Sequence, residues 1–250
     1  MKKLVFFLMI LVAFIGHAQK PDSLFVQANK LYQQEDYLKA LDLYLEIENQ
    51  NVESGELFFN MANVYYRTNQ VAPSIYYYEK SLLMDPNNTD IHFNLEFAKR
   101  MTLDNIEALP KSMGQRFRDG VVLQLTYNTW AIITVSFAFI FAILFLLYHF
   151  SYRTGVKRIY FITSGLCVVF VLITVLFTYQ NYQYIQNTRT AIIYEQLAQV
   201  KSAPTKSSEV NFELHEGTKV HILESLDNWL KIKIADGKTG WINEDALREL

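Results

Sequence analysis

The sequence predicts a multidomain protein with an all-α array of helix–turn–helix repeats, a two-helix transmembrane hairpin and a small all-β barrel. Similar segments that recur at one fixed offset near the N-terminus predict the repeats. Two long uncharged stretches, joined by a short basic segment, predict the hairpin. Alternation of apolar and charged residues near the C-terminus predicts the barrel.

The N-terminus has the pattern of a secretory signal. Two lysines precede an apolar run over 4–15 that is short for a membrane span, and Gly16 and Ala18 are small residues at a cleavage site. We predict a signal peptide at 1–18, cleaved after Ala18, with an uncleaved anchor as the alternative. The sole cysteine, Cys167, rules out an intrachain disulfide.

The repeats are predicted over residues 19–101. Residues 23–53 align in sequence with residues 57–87. Small residues lie where paired helices would cross, and Pro86 lies where the second helix would end. The segment Tyr78-Glu79-Lys80-Ser81-Leu82-Leu83-Met84-Asp85-Pro86 resembles the consensus of the tetratricopeptide repeat. This resemblance implies an all-α tetratricopeptide repeat array of two and a half units, for which 102–129 would supply a linker or capping segment and a juxtamembrane helix.

Aromatic and asparagine residues recur in columns along the first helix of each repeat. An Asn side chain can both donate to and accept from one peptide unit, so such a column can hold an extended partner backbone. We therefore predict a partner-binding groove, with packing inside the array as the alternative. Its residues are Phe25, Asn29, Tyr32, Phe59, Asn60, Asn63, Tyr66, Phe93 and Asn94.

The two uncharged stretches, 130–150 and 159–180, are each long enough to cross about 30 Å of hydrocarbon. The segment between them, 151–158, carries Arg153, Lys157 and Arg158 and no acidic residue. The positive-inside rule predicts that this loop is cytoplasmic. Both flanking regions would then be periplasmic, which agrees with the predicted signal peptide.

After a predicted linker at 181–188, residues 189–250 predict five short strands. Leu230, Ile232 and Ile234 alternate with lysines, and Asp236-Gly237 is typical of a tight hairpin. The turn Leu214-His215-Glu216-Gly217-Thr218 and the segment Gly240-Trp241-Ile242 resemble the bacterial SH3-like domain. This resemblance implies an SH3-like barrel that binds cell-wall peptide or a protein partner, with Trp229 and Trp241 as candidate contacts; core packing is the alternative for each.

Composition and motifs favour neither nucleic-acid binding nor catalysis. The formal net charge is −2, and we find no glycine-rich phosphate loop, nucleophile elbow or cluster with metal-ligand spacing. We therefore expect a protein that is not an enzyme, with no catalytic residues, no cofactor, no metal and no nucleic-acid partner.

The order of these segments resembles the BatE-type family of the bacterial aerotolerance operon. That resemblance implies a membrane-anchored adaptor or scaffold whose partners are inner-membrane proteins with von Willebrand A domains and an associated MoxR-type ATPase, in a complex for aerotolerance or envelope stress. The alternative is an envelope sensor that binds cell-wall peptide through the SH3-like domain.

Overall fold

The computed structural model describes residues 23–250, so the predicted signal peptide at 1–18 lies outside the described residues. The chain forms two compact units, of which one ends at Glu53 and the other comprises Ser54–Leu250. The first contains helices α1 (Ser23–Gln33) and α2 (Tyr37–Asn49). The second begins with α3 (Gly55–Arg67), α4 (Val71–Met84) and α5 (Thr89–Lys99).

The two helix pairs have the same local geometry at equivalent places in the sequence. Glu35 and Asn69 both adopt left-handed backbone conformations, with φ of 64° and 60°, just after the first helix of each pair. The following amide donates back to the helix in each case, from Asp36 N to Leu31 O at 3.0 Å and from Gln70 N to Tyr65 O at 2.9 Å. The sequence period therefore corresponds to a repeat of helical hairpins.

Polar side chains fix where several helices begin. Ser54 Oγ accepts from Leu57 N at 3.1 Å at the start of α3, and Asn88 Oδ1 accepts from Ile91 N at 3.3 Å at the start of α5. Each cap satisfies a backbone amide that lacks an intrahelical partner. Between α5 and helix α6 (Met113–Gly120) the chain forms neither helix nor strand. This segment fits the linker alternative for 102–129 rather than the capping one, because Ile106 packs against the core of the β-sheet.

Two long apolar helices follow, α7 (Tyr127–Phe150) and α8 (Thr154–Asn187). Both are long and apolar enough to cross a membrane. They pack together through a stacked pair, Phe137 and Phe170, whose ring centroids are 5.1 Å apart.

Helix α8 is longer than the sequence predicted at both ends. It already includes Lys157 and Arg158, so the loop predicted at 151–158 is reduced to 151–153. The linker predicted at 181–188 is helical as far as Asn187. Within it, Asn181 Nδ2 donates to Val122 O at 2.8 Å and to Leu125 O at 2.7 Å, which ties this part of α8 to the segment before α7.

The C-terminal region contains seven strands rather than the five predicted. They are β1 (Arg189–Ile193), β2 (Leu197–Lys201), β3 (Val210–His215), β4 (Lys219–Leu226), β5 (Trp229–Lys233), β6 (Thr239–Asn243) and β7 (Leu247–Glu249). They form one antiparallel sheet in the order β3-β2-β6-β5-β4-β1-β7. The sheet curves round a single core, as predicted for Leu230, Ile232 and Ile234, each of which is almost fully buried.

Candidate functional site

The β-sheet is attached to helix α4 through a buried ion pair. Glu79 lies on α4 and is only 7 % exposed. Its carboxylate accepts from Lys219 Nζ on β4 at 2.7 Å, and Lys99 Nζ on α5 lies 3.5 Å away. Burial alone would raise the pKa of Glu79, but the positive charges of Lys219 and Lys99 outweigh it and hold this pKa below its usual range. Glu79 is therefore charged and bound from two directions.

A second polar contact lies on the irregular segment after α5. The Asp104 carboxylate accepts from Thr218 Oγ1 at 2.6 Å and from His215 N at 2.8 Å, and its other oxygen lies 2.7 Å from His215 Nδ1. Burial would raise the pKa of Asp104, but the hydrogen bonds from Thr218 and His215 lower it. Asp104 thus anchors the turn between β3 and β4.

Apolar contacts surround these two polar ones. A side chain at Gly217, which has φ of +86°, would have its Cβ 2.8 Å from Thr102 and 2.9 Å from Ile75, so the turn packs directly on the helical surface. Nearby, the Arg248 guanidinium lies 4.5 Å from the centroid of the Tyr76 ring. We call Glu79, Lys219, Lys99, Asp104, His215 and Thr218 the clamp.

Other strands of the sheet line an open cavity of about 340 Å³. Trp229 of β5 lies in its wall and is half-buried, on the outer face of the strand whose alternate residue Leu230 enters the core. The cavity is mixed in chemistry, with a carboxylate, an amine, an amide and an indole. Its lining residues are Glu195, Leu197, Gln199, Lys201, Trp229, Ile242, Asn243 and Ala246.

A second cavity of about 460 Å³ shares Glu195, Asn243 and Ala246 with the first and adds Tyr194 and Asp245 to the lining. The volumes of both cavities fall in the range of about 300–1,000 Å³ that small-molecule sites occupy. Together they form a concave surface on the sheet that no residue of the clamp lines. We call these two cavities the Trp229 groove.

Trp241, the other predicted contact, does not line this groove. It lies on β6 opposite Lys231 of β5, and Lys231 Nζ is 5.7 Å from the indole ring centroid. Its neighbour Ile242 enters the core, so Trp241 faces outward and is half-buried. The structure thus places both of these tryptophans on the outer face of the sheet, with Trp229 in the wall of the groove.

Two of the predicted asparagines are engaged inside their own helix pairs. Asn29 Oδ1 accepts from Tyr44 Oη at 2.6 Å, and Asn63 Oδ1 accepts from Tyr78 Oη at 2.5 Å. The same oxygen of Asn63 also accepts from Asn94 Nδ2 at 3.1 Å, which links α3 to α5. These contacts favour the packing alternative for Asn29 and Asn63, while a ligand-binding role for the column stays a prediction.

The three phenylalanines of the predicted groove differ in how they are packed. Phe25 lies against Tyr44 with ring centroids 5.9 Å apart, and Phe59 lies against Tyr78 at 6.0 Å. Phe93 instead contacts Phe97 of its own helix at 4.7 Å and remains 63 % exposed. The structure therefore leaves one member of the predicted column, Phe93, as an accessible apolar side chain.

The remaining predicted groove residues, Asn60, Tyr32 and Tyr66, are half-buried. Tyr32 makes an edge-to-face contact with Tyr37 at 5.4 Å. Phe59 also lines a cavity of about 390 Å³ that the sequence did not indicate, together with Gly55, Glu56, Met84, Asp85, Asn88 and Ile91.

The clamp was not predicted from the sequence. Glu79 carried one signal, because it is an acidic residue that directly follows Tyr76-Tyr77-Tyr78 in a helix whose neighbours are buried. Asp104 and His215 carried none, because they are 111 positions apart in the chain. Over residues 23–250, no three His, Cys, Asp or Glu side chains come together as a metal site.

The comparisons with known proteins agree with the fold of the C-terminal region. No curated protein sequence is significantly similar to this chain. The family model of the bacterial SH3 domain matches residues 197–248, which include β2 to β6 and every lining residue of the Trp229 groove except Tyr194 and Glu195. Residues 197–248 of this chain are therefore a bacterial SH3 domain, to which β1 adds a strand from outside the matched segment.

Proposed function

We propose that this protein is a membrane-anchored adaptor that binds protein partners through its helical repeats and its SH3 domain. The observation that carries the proposal is the clamp. A buried carboxylate on α4 and a half-buried one after α5 fix the SH3 domain to the helices, while the Trp229 groove lies on other strands and remains open. Such an arrangement holds two binding surfaces in one orientation, which is what an adaptor requires.

The membrane anchor is proposed from α7 and α8. Their length and composition suit two spans, and Arg153, Lys157 and Arg158 cluster at the end where the two helices meet. By the positive-inside rule this end is cytoplasmic. The repeats and the SH3 domain would then both be periplasmic, on the outer side of a bacterial inner membrane, after export by the signal at 1–18.

The helical repeats are proposed to be tetratricopeptide repeats. The recurrence of Tyr–Asn and Tyr–Phe contacts at equivalent positions of the two helix pairs supports this assignment. With it, the resemblance to BatE-type proteins favours partners that are inner-membrane proteins with von Willebrand A domains, in an aerotolerance or envelope-stress complex. We propose binding rather than catalysis as the activity of this chain.

A comparison of two tryptophan variants tests the adaptor proposal. Membranes from cells with tagged full-length protein are solubilised, and co-purified membrane proteins are quantified for the wild type, Trp229→Ala and Trp241→Ala. Both residues are half-buried on adjacent strands, so Trp241→Ala is a matched control. We expect Trp229→Ala to lower partner recovery by about tenfold, a typical loss for a central aromatic contact. Equal partner recovery from both variants would show that the Trp229 groove does not bind these partners.

The second candidate function is an envelope sensor that binds cell-wall peptide in the Trp229 groove. The mixed polar lining, with Glu195, Asn243 and Asp245 beside an indole, favours a ligand with amide and amine groups. Co-sedimentation of the full-length protein in detergent with purified sacculi tests this candidate. Binding that Trp229→Ala abolishes and Trp241→Ala retains would support it, and absence of binding by the wild type would reject it.

A further inference from the structure

A cavity lies where α7 and α8 meet, at the opposite end of the hairpin from the SH3 domain's connection to α8. Its volume is about 400 Å³, within the range of about 300–1,000 Å³ that is typical of ligand sites. The walls come from the end of α7 and the beginning of α8. The lining residues are Tyr148, Thr154, Lys157, Arg158, Phe161 and Ile162.

The polar part of this cavity is strongly cationic. Lys157 and Arg158 are its charged residues, and neither α7, α8 nor the segment between them contains an aspartate or glutamate. Lys157 Nζ lies 4.9 Å from the centroid of the ring of Tyr148, which also lines the cavity, so a cation–π contact holds the amine beside this wall. Two positive charges thus face one cavity without any acidic side chain in the hairpin to neutralise them.

The other part of the cavity is apolar and faces outward. Phe161 and Ile162 lie about one turn further along α8 than the two cations and are 65 % and 61 % exposed. A cationic rim followed by an exposed apolar wall is the order of groups that a phospholipid presents, with its phosphate at the surface and its acyl chains deeper. A soluble anion would match only the cationic rim.

We propose that this cavity binds the phosphate of an anionic glycerophospholipid, with Lys157 and Arg158 on the phosphate and Phe161 and Ile162 against the first acyl methylenes. The proposal rests on the membrane insertion put forward above, and the lipid would belong to the cytoplasmic leaflet. A zwitterionic lipid offers the same acyl chains but no net charge for the two cations. The cavity therefore selects by headgroup charge.

Thermal unfolding of the full-length protein in detergent tests this site, because a ligand that binds only the folded state raises its stability. The probes are phosphatidylglycerol, phosphatidylcholine and inorganic phosphate. Of these three probes, we expect only phosphatidylglycerol to raise the Tm of the protein. Lys157→Gln and Arg158→Gln should each weaken its apparent affinity about fivefold, the effect of about one surface charge on anionic lipid.

Arg153→Gln is the matched control, because it removes the same charge from the same end of the hairpin but does not line the cavity. An equal loss in Arg153→Gln would overturn the proposal in favour of diffuse surface attraction. Equal stabilisation by phosphatidylcholine, or stabilisation by inorganic phosphate at millimolar concentration, would also overturn it. Alkaline extraction of cell membranes distinguishes failure of this proposal from failure of the membrane-anchor proposal. Release of the protein would refute membrane insertion itself. Retention of the protein in the membrane, without an effect of phosphatidylglycerol on Tm, would refute only the lipid site.

Discussion

Glu79 and Lys219 are 140 positions apart in the chain, yet Lys219 Nζ donates a 2.7 Å hydrogen bond to the Glu79 carboxylate. The two partners differ in exposure, because the side chain of Lys219 is 37 % exposed while that of Glu79 is 9 % exposed. Removal of Lys219 would thus leave the buried Glu79 carboxylate with one counter-charge fewer. Removal of the Glu79 charge would leave Lys219 as a cation that water can solvate.

Lys219→Met is expected to destabilise the protein by about 2–3 kcal/mol, because Glu79 would keep only Lys99 as a counter-charge. Glu79→Gln is expected to cost less, about 1–2 kcal/mol, since Lys219 can turn toward solvent. Denaturant titration of the purified protein in detergent measures both changes. A larger loss for Glu79→Gln than for Lys219→Met would contradict this view of the pair.

Lys231→Met is the control for this prediction. Lys231 is also a lysine of the SH3 domain with a side chain that is 37 % exposed, but its partner Glu224 is 59 % exposed and 3.6 Å away. Such surface pairs contribute about 0–1 kcal/mol. The free energy of unfolding of Lys231→Met should therefore stay close to that of the wild type.

Acidification should weaken the clamp. The pKa values of Glu79 and Asp104 are both lowered in the folded protein, so the folded state binds protons less tightly than the unfolded chain does. Their contribution is complete above an unfolded pKa of about 4 and is lost as the pH falls through the lowered folded values. The Tm of the wild type should therefore fall more steeply below about pH 4 than that of Glu79→Gln/Asp104→Asn. Parallel slopes for the two proteins would contradict the prediction.

The Asn63–Tyr78 contact is expected to stabilise the repeats. Tyr78→Phe removes a hydrogen bond from a buried ring and should cost about 1 kcal/mol. Asn63→Ala should cost a similar amount, and the double variant should show a coupling energy of about 0.5–1 kcal/mol in a double-mutant cycle. Strictly additive losses would show that the contact contributes nothing.

Phe93→Ala distinguishes packing from partner binding in the same helices. The ring is 63 % exposed, so its truncation should change the free energy of unfolding by about 0.5 kcal/mol or less. On the adaptor proposal it should nevertheless reduce recovery of co-purified partners. A stable Phe93→Ala protein with unchanged partner recovery would exclude Phe93 from the partner-binding groove.

Asn181 is expected to stabilise the end of the hairpin that is nearest to the SH3 domain in the chain. Its side chain is buried, and its Nδ2 donates to the carbonyls of Val122 and Leu125. Asn181→Ala leaves both carbonyls without this donor and should cost about 2 kcal/mol. Asn187→Ala is the control, because Asn187 is exposed and donates to Gln183 on its own helix. Equal Tm values for the two variants in detergent would refute this role.

The helical repeats were predictable because their period is local. Ala28 and Ala62, or Tyr44 and Tyr78, recur at the same offset in the sequence and are buried at equivalent places in two helix pairs. The function of the asparagines was harder to predict. Which residues of the second helix face Asn29 and Asn63 depends on how the two helices of a pair are aligned, and the tyrosine contacts became visible only in the structure.

The SH3 domain was predictable from alternation and turn residues, and the clamp was not. Leu230 and Ile232 alternate with lysines, and this period of two predicts that they are buried. Asp104 contacts His215 and Thr218 across more than 100 residues of chain, which include α7 and α8, so no local pattern predicts the contact.

The ends of the long helices could not be predicted from the sequence either. Asn181 is a polar residue just past an apolar stretch, which is the usual pattern at the end of a span. Helix α8 nevertheless continues to Asn187, and the Asn181 side chain donates to the carbonyls of Val122 and Leu125. These carbonyls lie 59 and 56 positions away in the chain, so no local pattern could reveal the contacts.

One measurement tests most directly whether the SH3 domain is clamped to the helices on the periplasmic side. Asp104 and Thr218 are replaced by cysteine in a Cys167→Ser background, since their side chains approach to 2.6 Å, and the redox state of the pair is read in intact cells with a mass-tagged maleimide. Asp104→Cys with Thr239→Cys on β6 is the control pair.

We expect the cysteines at 104 and 218 to form a disulfide without added oxidant and the control pair to stay reduced, because disulfides form in the periplasm when two sulfurs are held close together. Thiols at 104 and 218 that stay reduced and react with a membrane-impermeant maleimide would contradict the clamp. Thiols that react only after the inner membrane is permeabilised would contradict the periplasmic placement.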